Sequence, residues 1–183
     1  MSYEITTQKT KDKTKYPITK EDAKIHMGYS VNDLTTQNEY LEMLIRAVTK
    51  EAEHFIQKDI SYTDVTYSYY DFSDDSINVP EGNFNTLTSV VADGSTLVTP
   101  EHTFPYENRI ILKLSTSVSG DPLVVKLVTG YERENVPEEI KLAILMRVFD
   151  YFLVQRGSQS TLSLQDTKAF ERLLMNGMST RIP

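Results

Sequence analysis

The sequence predicts an α+β chain: a small antiparallel helical bundle, an antiparallel β-sheet insertion between its second and third helices, and a C-terminal amphipathic helix. Three observations predict it. Apolar residues recur at three- and four-residue steps from Asn38 to Lys58. After Asp59 the period changes to two, and beyond Val136-Pro137 it becomes helical again. The intervening strands are short and joined by short turns, which builds an antiparallel sheet and not βαβ units.

The opening run, "MSYEITTQKTKDKTKYP", carries Lys9, Lys11, Lys13 and Lys15. It reads as a flexible N-terminal tail over residues 1–16, since chain termini are commonly loose. An arm that touches acid or a neighbouring subunit is the other reading. Order is expected from "YPITKEDAKIHM". Thr19 suits an N-cap and Asp22 follows three residues later, a carboxylate form of the capping box. This predicts a helix over 19–27, which Gly28 can stop. "GYSVNDLTTQ" reads as a loop.

The second helix is expected over 38–58. Tyr40, Leu41, Leu44, Ile45, Val48, Ala52, Phe55 and Ile56 fall on one stripe, with Glu42, Arg46, Lys50, Glu53 and Gln57 opposite. Strands follow within 61–130. "SYTDVTYSYYDF" alternates Val65, Tyr67 and Tyr69 with Thr66 and Ser68, a half-buried strand. Asp93-Gly94 between two β-prone runs is a hairpin signal. "RIILKL" puts Ile110, Leu112 and Leu114 on one face, and "LVVKLV" does the same for Leu123, Val125 and Leu127. "DFSDDS" reads as a charged loop tip.

The third helix is expected over 137–155. Pro137 fits the first turn, and Glu138 and Glu139 complement the positive end of the helix dipole. Its apolar residues go most of the way round, so burial on two sides is expected, between the second helix and the sheet. "QRGSQSTLS" is a break. Ser163 can then cap a final helix, with Ala169, Phe170, Leu173 and Leu174 as a narrow apolar stripe.

Composition bounds the function. With 183 residues and 39% hydrophobic content there is enough for a core and too much for disorder. There is no apolar run near the ~20 residues of a membrane span, and the first residues lack a secretory signal's apolar stretch. Cysteine is absent, which excludes disulfides, thiolate metal sites and a cysteine nucleophile. A net charge of −7 argues against tight duplex binding, whose affinity comes mainly from cationic side chains releasing counterions.

Chemistry-bearing patterns are not found. The glycines stand no closer than ten residues apart, which removes the dinucleotide fingerprint and the phosphate loop. His26, His54 and His102 fall in three regions without metal-ligand spacing. Asp71, Asp74 and Asp75 lack the further ligands of a calcium loop. There is no nucleophile elbow. Glu138 and Glu139 point about 100° apart on a helix, so they do not converge on one substrate atom. No catalytic, metal or cofactor-binding residue is therefore assigned.

Two features suggest partners instead. Tyr62, Tyr67, Tyr69 and Tyr70 crowd one strand; tyrosine packs well in strands, and it is also enriched at interfaces. The C-terminal stripe either folds back on the core or docks in a partner's groove.

The order of parts resembles the head-tail connector (adaptor, or head completion) family of tailed double-stranded DNA bacteriophages. The resemblance rests on Pro17 leading a short helix, the helix around Leu44 to Phe55, Thr129-Gly130-Tyr131 closing a β segment, Val136-Pro137 opening an apolar helix, and Tyr151-Phe152 near its end. It spans about Pro17 to Leu153. Departures are a longer loop from Gly28 to Gln37, Gln57-Lys58-Asp59 in place of the usual Thr-Gly-Arg, and an aromatic pair without tryptophan.

What the resemblance implies is a non-enzymatic virion protein at the head-tail interface, made in the host bacterial cytoplasm. It would form a ring, twelve-fold in such families, that docks on the portal and meets a stopper or tail-completion protein below. DNA would pass through without sequence-specific binding, and no cofactor or membrane is involved. Residues 17–155 would be the adaptor core and 156–183 a docking segment that meets the portal through Leu162, Leu164, Phe170, Leu173, Leu174 and Met178. Tyr62, Tyr67, Tyr69 and Tyr70 would serve contacts between subunits. The alternatives are another head or tail completion (stopper) protein, a small enzyme whose site forms only in space, and a small-terminase-like DNA binder.

Overall fold

Strand pairing begins at Glu4, well ahead of the expected start of order. A computed structural model of the chain describes residues 4–11, 15–80, 83–94, 96–97, 99–105, 109–155 and 164–179. Among these it has four α-helices and two antiparallel sheets, and the chain divides into two units.

The β unit consists of the N-terminal strand together with Ser61–Tyr131. Its strands are β1 (Glu4–Lys11), β2 (Thr63–Tyr70), β3 (Phe72–Val79), β4 (Phe84–Ala92), β5 (Thr96–Leu97), β6 (His102–Pro105), β7 (Ile110–Gly120) and β8 (Leu123–Thr129). One sheet has the order β1-β2-β8-β4-β5 and the other β3-β7-β6, all neighbours antiparallel.

The alternation decides what faces inward. Val65, Tyr67 and Tyr69 of β2 meet Ile110, Leu112 and Leu114 of β7 and Leu123, Val125 and Leu127 of β8 in one buried cluster, with Ile77 and Val79 of β3. The sheets thus pack face to face over their apolar sides. The Tyr69 hydroxyl donates to the Asn78 carbonyl at 2.9 Å, tying β2 to β3 across the layers. At the β4–β5 hairpin both turn residues are left-handed, Asp93 at φ 49° and Gly94 at 72°, as such a turn requires.

Three expectations change here. Residues 1–16 were expected as a flexible tail, but Glu4–Lys11 pairs with β2 along its whole length, Glu4 opposite Tyr70 and Lys11 opposite Thr63. Seven of its eight residues are exposed, so the strand is made by backbone pairing and leaves no burial pattern in the sequence. The "DFSDDS" loop tip is instead the start of β3, whose outward positions carry Asp74 and Asp75 beside a bulge. The single expected sheet is two.

The helical unit contains α1 (Lys20–His26), α2 (Asn38–Ile56), α3 (Glu138–Gln155) and α4 (Leu164–Ser179). Thr19 and Asp22 form both capping-box bonds, at 3.0 and 2.8 Å. Gly28 lies at φ 78° just past α1. The loop after it is held by Lys24, which is buried and donates from Nζ to the Val31 carbonyl at 2.9 Å. Gln57 ends α2 in the left-handed conformation, where a glycine is the usual residue. Lys58 and Ile60 are then drawn back to Glu53, the Ile60 N–H donating to its carboxylate at 3.1 Å. Leu41, Leu44, Ile45, Val48 and Ala52 of α2 are buried, as are Ile140, Ala143, Ile144, Val148 and Phe152 of α3. Within the unit α3 packs against α1, α2 and α4.

Candidate functional site

The described residues hold no convergent set of reactive groups. His26 packs edge-on against Phe149 at 6.2 Å, His54 is exposed at the end of α2, and His102 lies beside Phe104 on β6. No group of three or more His, Asp or Glu residues able to hold a metal gathers among the described residues. No described helix is long and apolar enough to cross a membrane.

The best-organised polar group is a hub between helices. Arg147 sits on the inner side of α3 and is buried. Its Nη2 and Nε donate to Glu51 Oε1 of α2 at 2.7 and 3.2 Å, and the Tyr151 hydroxyl donates to Glu51 Oε2 at 2.9 Å. The guanidinium also lies 5.0 Å from the Tyr151 ring centre and 5.2 Å from that of Phe170 on α4. One cation therefore joins three helices, by charged hydrogen bonds and by stacking on ring faces. Burial alone would lower the Arg147 pKa, but the hydrogen bond and charge of Glu51 outweigh it and raise it. Burial, then the bond to Glu51, likewise raises that of Tyr151 above 10.0. The arrangement fixes the geometry of three helices.

The structure separates the predicted interface residues. Tyr67 and Tyr69 are buried in the β-unit core, whereas Tyr62 is half-buried and Tyr70 exposed. The sequence held the signal, because both inward tyrosines share a face with Val65. In α4, Phe170 and Leu174 are buried and Leu173 and Met178 half-buried. Gly177 closes the contact with α3: a Cβ there would stand 2.6 Å from Ile140 Cγ1. The inner stripe of α4 is thus already covered by its own chain. Leu162, the side chain of Leu164 and the Ser163 cap lie outside the described residues.

Sequence reasoning missed two features. One is Arg147, whose signal was a lone cation in "LAILMRVFDYF" four residues before Tyr151. The other is a groove of about 560 Å³ beside α3, lined by Pro17, Ile18, Leu142 and Leu145, with Asp22, Arg133, Glu134, Glu138 and Lys141 around them. It assembles residues far apart in sequence, and Leu142 is 42% exposed there.

No protein-family model matches the chain. No curated protein matches it. Solved structures do. A chain from the neck of the empty gene transfer agent (GTA) particle, computed with C6 symmetry, matches with a TM-score of 0.70 and 13% identity over 97% of both chains. A chain from the virion of the native GTA particle matches with a TM-score of 0.66 and 14% identity over 92% of this chain and 93% of that one. A chain from the neck of the native particle, computed with C12 symmetry, matches with a TM-score of 0.62 and 14% identity, covering 93% and 94%. At such identities the likeness is one of fold.

Proposed function

We propose that the chain is one subunit of a head-tail connector ring, an adaptor that docks on the portal and links a DNA-filled head to a tail. The observation that carries this reading is the end-to-end match with a neck chain, 97% of each at a TM-score of 0.70. The neighbours come from particles treated with six- and twelve-fold symmetry, and a closed ring of this chain is the assembly we infer.

In this reading the helices form the bundle and the β unit is its insertion between α2 and α3, with β1 added from the N-terminal side. The protein works by shape. The Arg147 hub and the Gly177 contact hold α4 in a defined place on α3. Portal docking falls to residues 156–183, where Leu173 and Met178 stay half-buried. Tyr62 and Tyr70 are the tyrosines left for contacts between subunits. The net charge of −7 suits a conduit, because a lumen with few cations would let phosphate slide past rather than bind.

The test is co-expression with the portal protein of the same particle, read by native mass spectrometry and electron microscopy. The expected result is a portal complex heavier by a ring of this chain, with added density on the tail side. A chain that stays solitary beside the assembled portal would overturn the reading.

A further inference from the structure

We propose that the outer face of α4 in one copy lies in the α1–α3 groove of the next copy, so that the ring closes head to tail through its helical units. This rests on the ring reading above and adds to it a specific interface.

The first observation is the outer face itself. Phe170, Leu174 and Gly177 point α4 at α3. Helical geometry turns each residue about 100°, so Lys168, Arg172 and Met175 fall on the opposite side in one stripe, at steps of four and three. All three are exposed, Met175 by 58%. Two cations and a pliable apolar side chain thus form one exposed ridge line along α4, Lys168 and Arg172 also edging a shallow open hollow with Leu173 and Asn176.

The second observation is the groove. Its floor is apolar, from Pro17, Ile18, Leu142 and Leu145, and Asp22, Glu134 and Glu138 bring carboxylates to it. The two cations present are engaged within the chain. Arg133 Nε donates to the Tyr16 carbonyl at 2.9 Å, and Lys141 Nζ to Glu138 at 2.9 Å. Glu138 shares one oxygen with Lys141 and Asp22 already accepts from the Thr19 N–H at 2.8 Å, so what the groove offers to lysine, arginine and methionine is chiefly Glu134, the other oxygen of Glu138 and exposed leucine. The match is in both charge and polarity.

The third observation is direction. Among the α3 residues that meet α4 are Glu139, Ile140 and Arg147. Those lining the groove, Glu138, Leu142 and Leu145, centre roughly 150° away around the same helix. Ridge and groove thus lie on nearly opposite sides of α3. Two complementary patches on opposite sides cannot satisfy each other within one copy. They can do so between successive copies, which is the heterologous contact that generates rings.

Charge reversal tests the contact. Lys168→Glu with Arg172→Glu reverses the ridge, Glu134→Lys with Glu138→Lys reverses the groove, and a fourth protein carries all four changes. Every one of these positions is exposed, so circular dichroism should stay close to wild type; Glu138→Lys also loses its bond to Lys141 at the positive end of α3 and should lower melting somewhat, a loss that the fourfold variant does not recover. Ring formation on the portal is then measured by native mass spectrometry at fixed protein concentration. Each pair should lower assembly about tenfold or more, and the fourfold variant should recover most of the loss. If both pairs assemble like wild type, this interface is wrong while the ring stands. If wild type itself forms no ring, both readings fall. A complex holding two copies and no more would overturn the head-to-tail arrangement.

Discussion

Tyr67 and Tyr69 stand at 2% and 0% exposure between the two sheets of the β unit, while Leu142 and Met175 of the helical unit are 42% and 58% exposed. The contrast extends to the other large apolar side chains at the surface. Ile25, Val31, Met43, Phe55, Leu142 and Met175 belong to the helical unit, against Ile5, Tyr70 and Phe104 in the β unit. The β unit buries Tyr67, Tyr69 and Phe72 between its sheets. The other packs its helices tightly at a hub and leaves apolar groups outside. Exposed apolar surface is what association can cover, so the comparison favours the proposed contact through the helices over one through the tyrosine-rich strand.

The comparison breaks first at the hub. Phe170→Ala should have the largest effect, destabilising by about 3–5 kcal/mol, because it empties a buried ring site and removes one face of the Arg147 stack. Denaturant titration followed by helix signal reads it. A loss under 1 kcal/mol would mean that α4 is not held on α3 in solution. Gly177→Ala should come next, at about 1–3 kcal/mol, since the added methyl meets Ile140 and the start of α3 has little room to shift. An unchanged midpoint would show the helix contact to be looser than its geometry.

How much of this could be read beforehand depended on what each element buries. The β2, β7 and β8 alternation was legible, because a half-buried sheet imposes period two on Val65, Tyr67 and Tyr69 and on Leu123, Val125 and Leu127. The capping box at Thr19 and the Asp93-Gly94 turn were legible because their chemistry is local. β1 was not, since a strand exposed on both faces has no face to mark and owes its form to β2. β3 was hidden for a related reason: Asp74 and Asp75 are unremarkable on an edge. The groove was beyond reach because Pro17, Arg133 and Leu142 meet only in the folded chain. In α3 the all-round apolar pattern said that both sides are covered, and the second helix and the sheet were the covers expected. Within the helical unit α2 is such a cover, α1 and α4 are the others, and Leu142 is left to solvent.

The β unit provides the counterpart. Tyr69→Phe removes the hydroxyl that bonds the Asn78 carbonyl and should cost about 1 kcal/mol, whereas Tyr70→Phe, one residue on and exposed, should change nothing measurable. Equal effects would mean that the two tyrosines share one environment, and the contrast between inward and outward positions on β2 would fail. Neither change should alter ring assembly if the helices carry it. A loss of assembly in Tyr70→Phe, with stability intact, would return the interface to the strand.

The smallest expected effect concerns pH and sharpens the account of the hub. Burial first, and then the Glu51 carboxylate that accepts its hydrogen bond, raise the Tyr151 pKa above its ordinary 10.0. The folded chain therefore keeps this proton at pH values where the unfolded chain has released it. A group whose folded pKa is raised contributes stability that is complete below the unfolded value and is lost as pH rises through the folded one. Wild type should hence lose stability above about pH 10 more steeply than Tyr151→Phe, while near neutrality the variant should be weaker by about 1 kcal/mol for the missing hydrogen bond. The difference between the two proteins isolates Tyr151, since every other tyrosine and lysine titrates in both. Parallel curves up to pH 11 would mean that Tyr151 ionises as freely folded as unfolded. Its bond to Glu51 would then not persist in solution, and Arg147 alone would join α2 to α3.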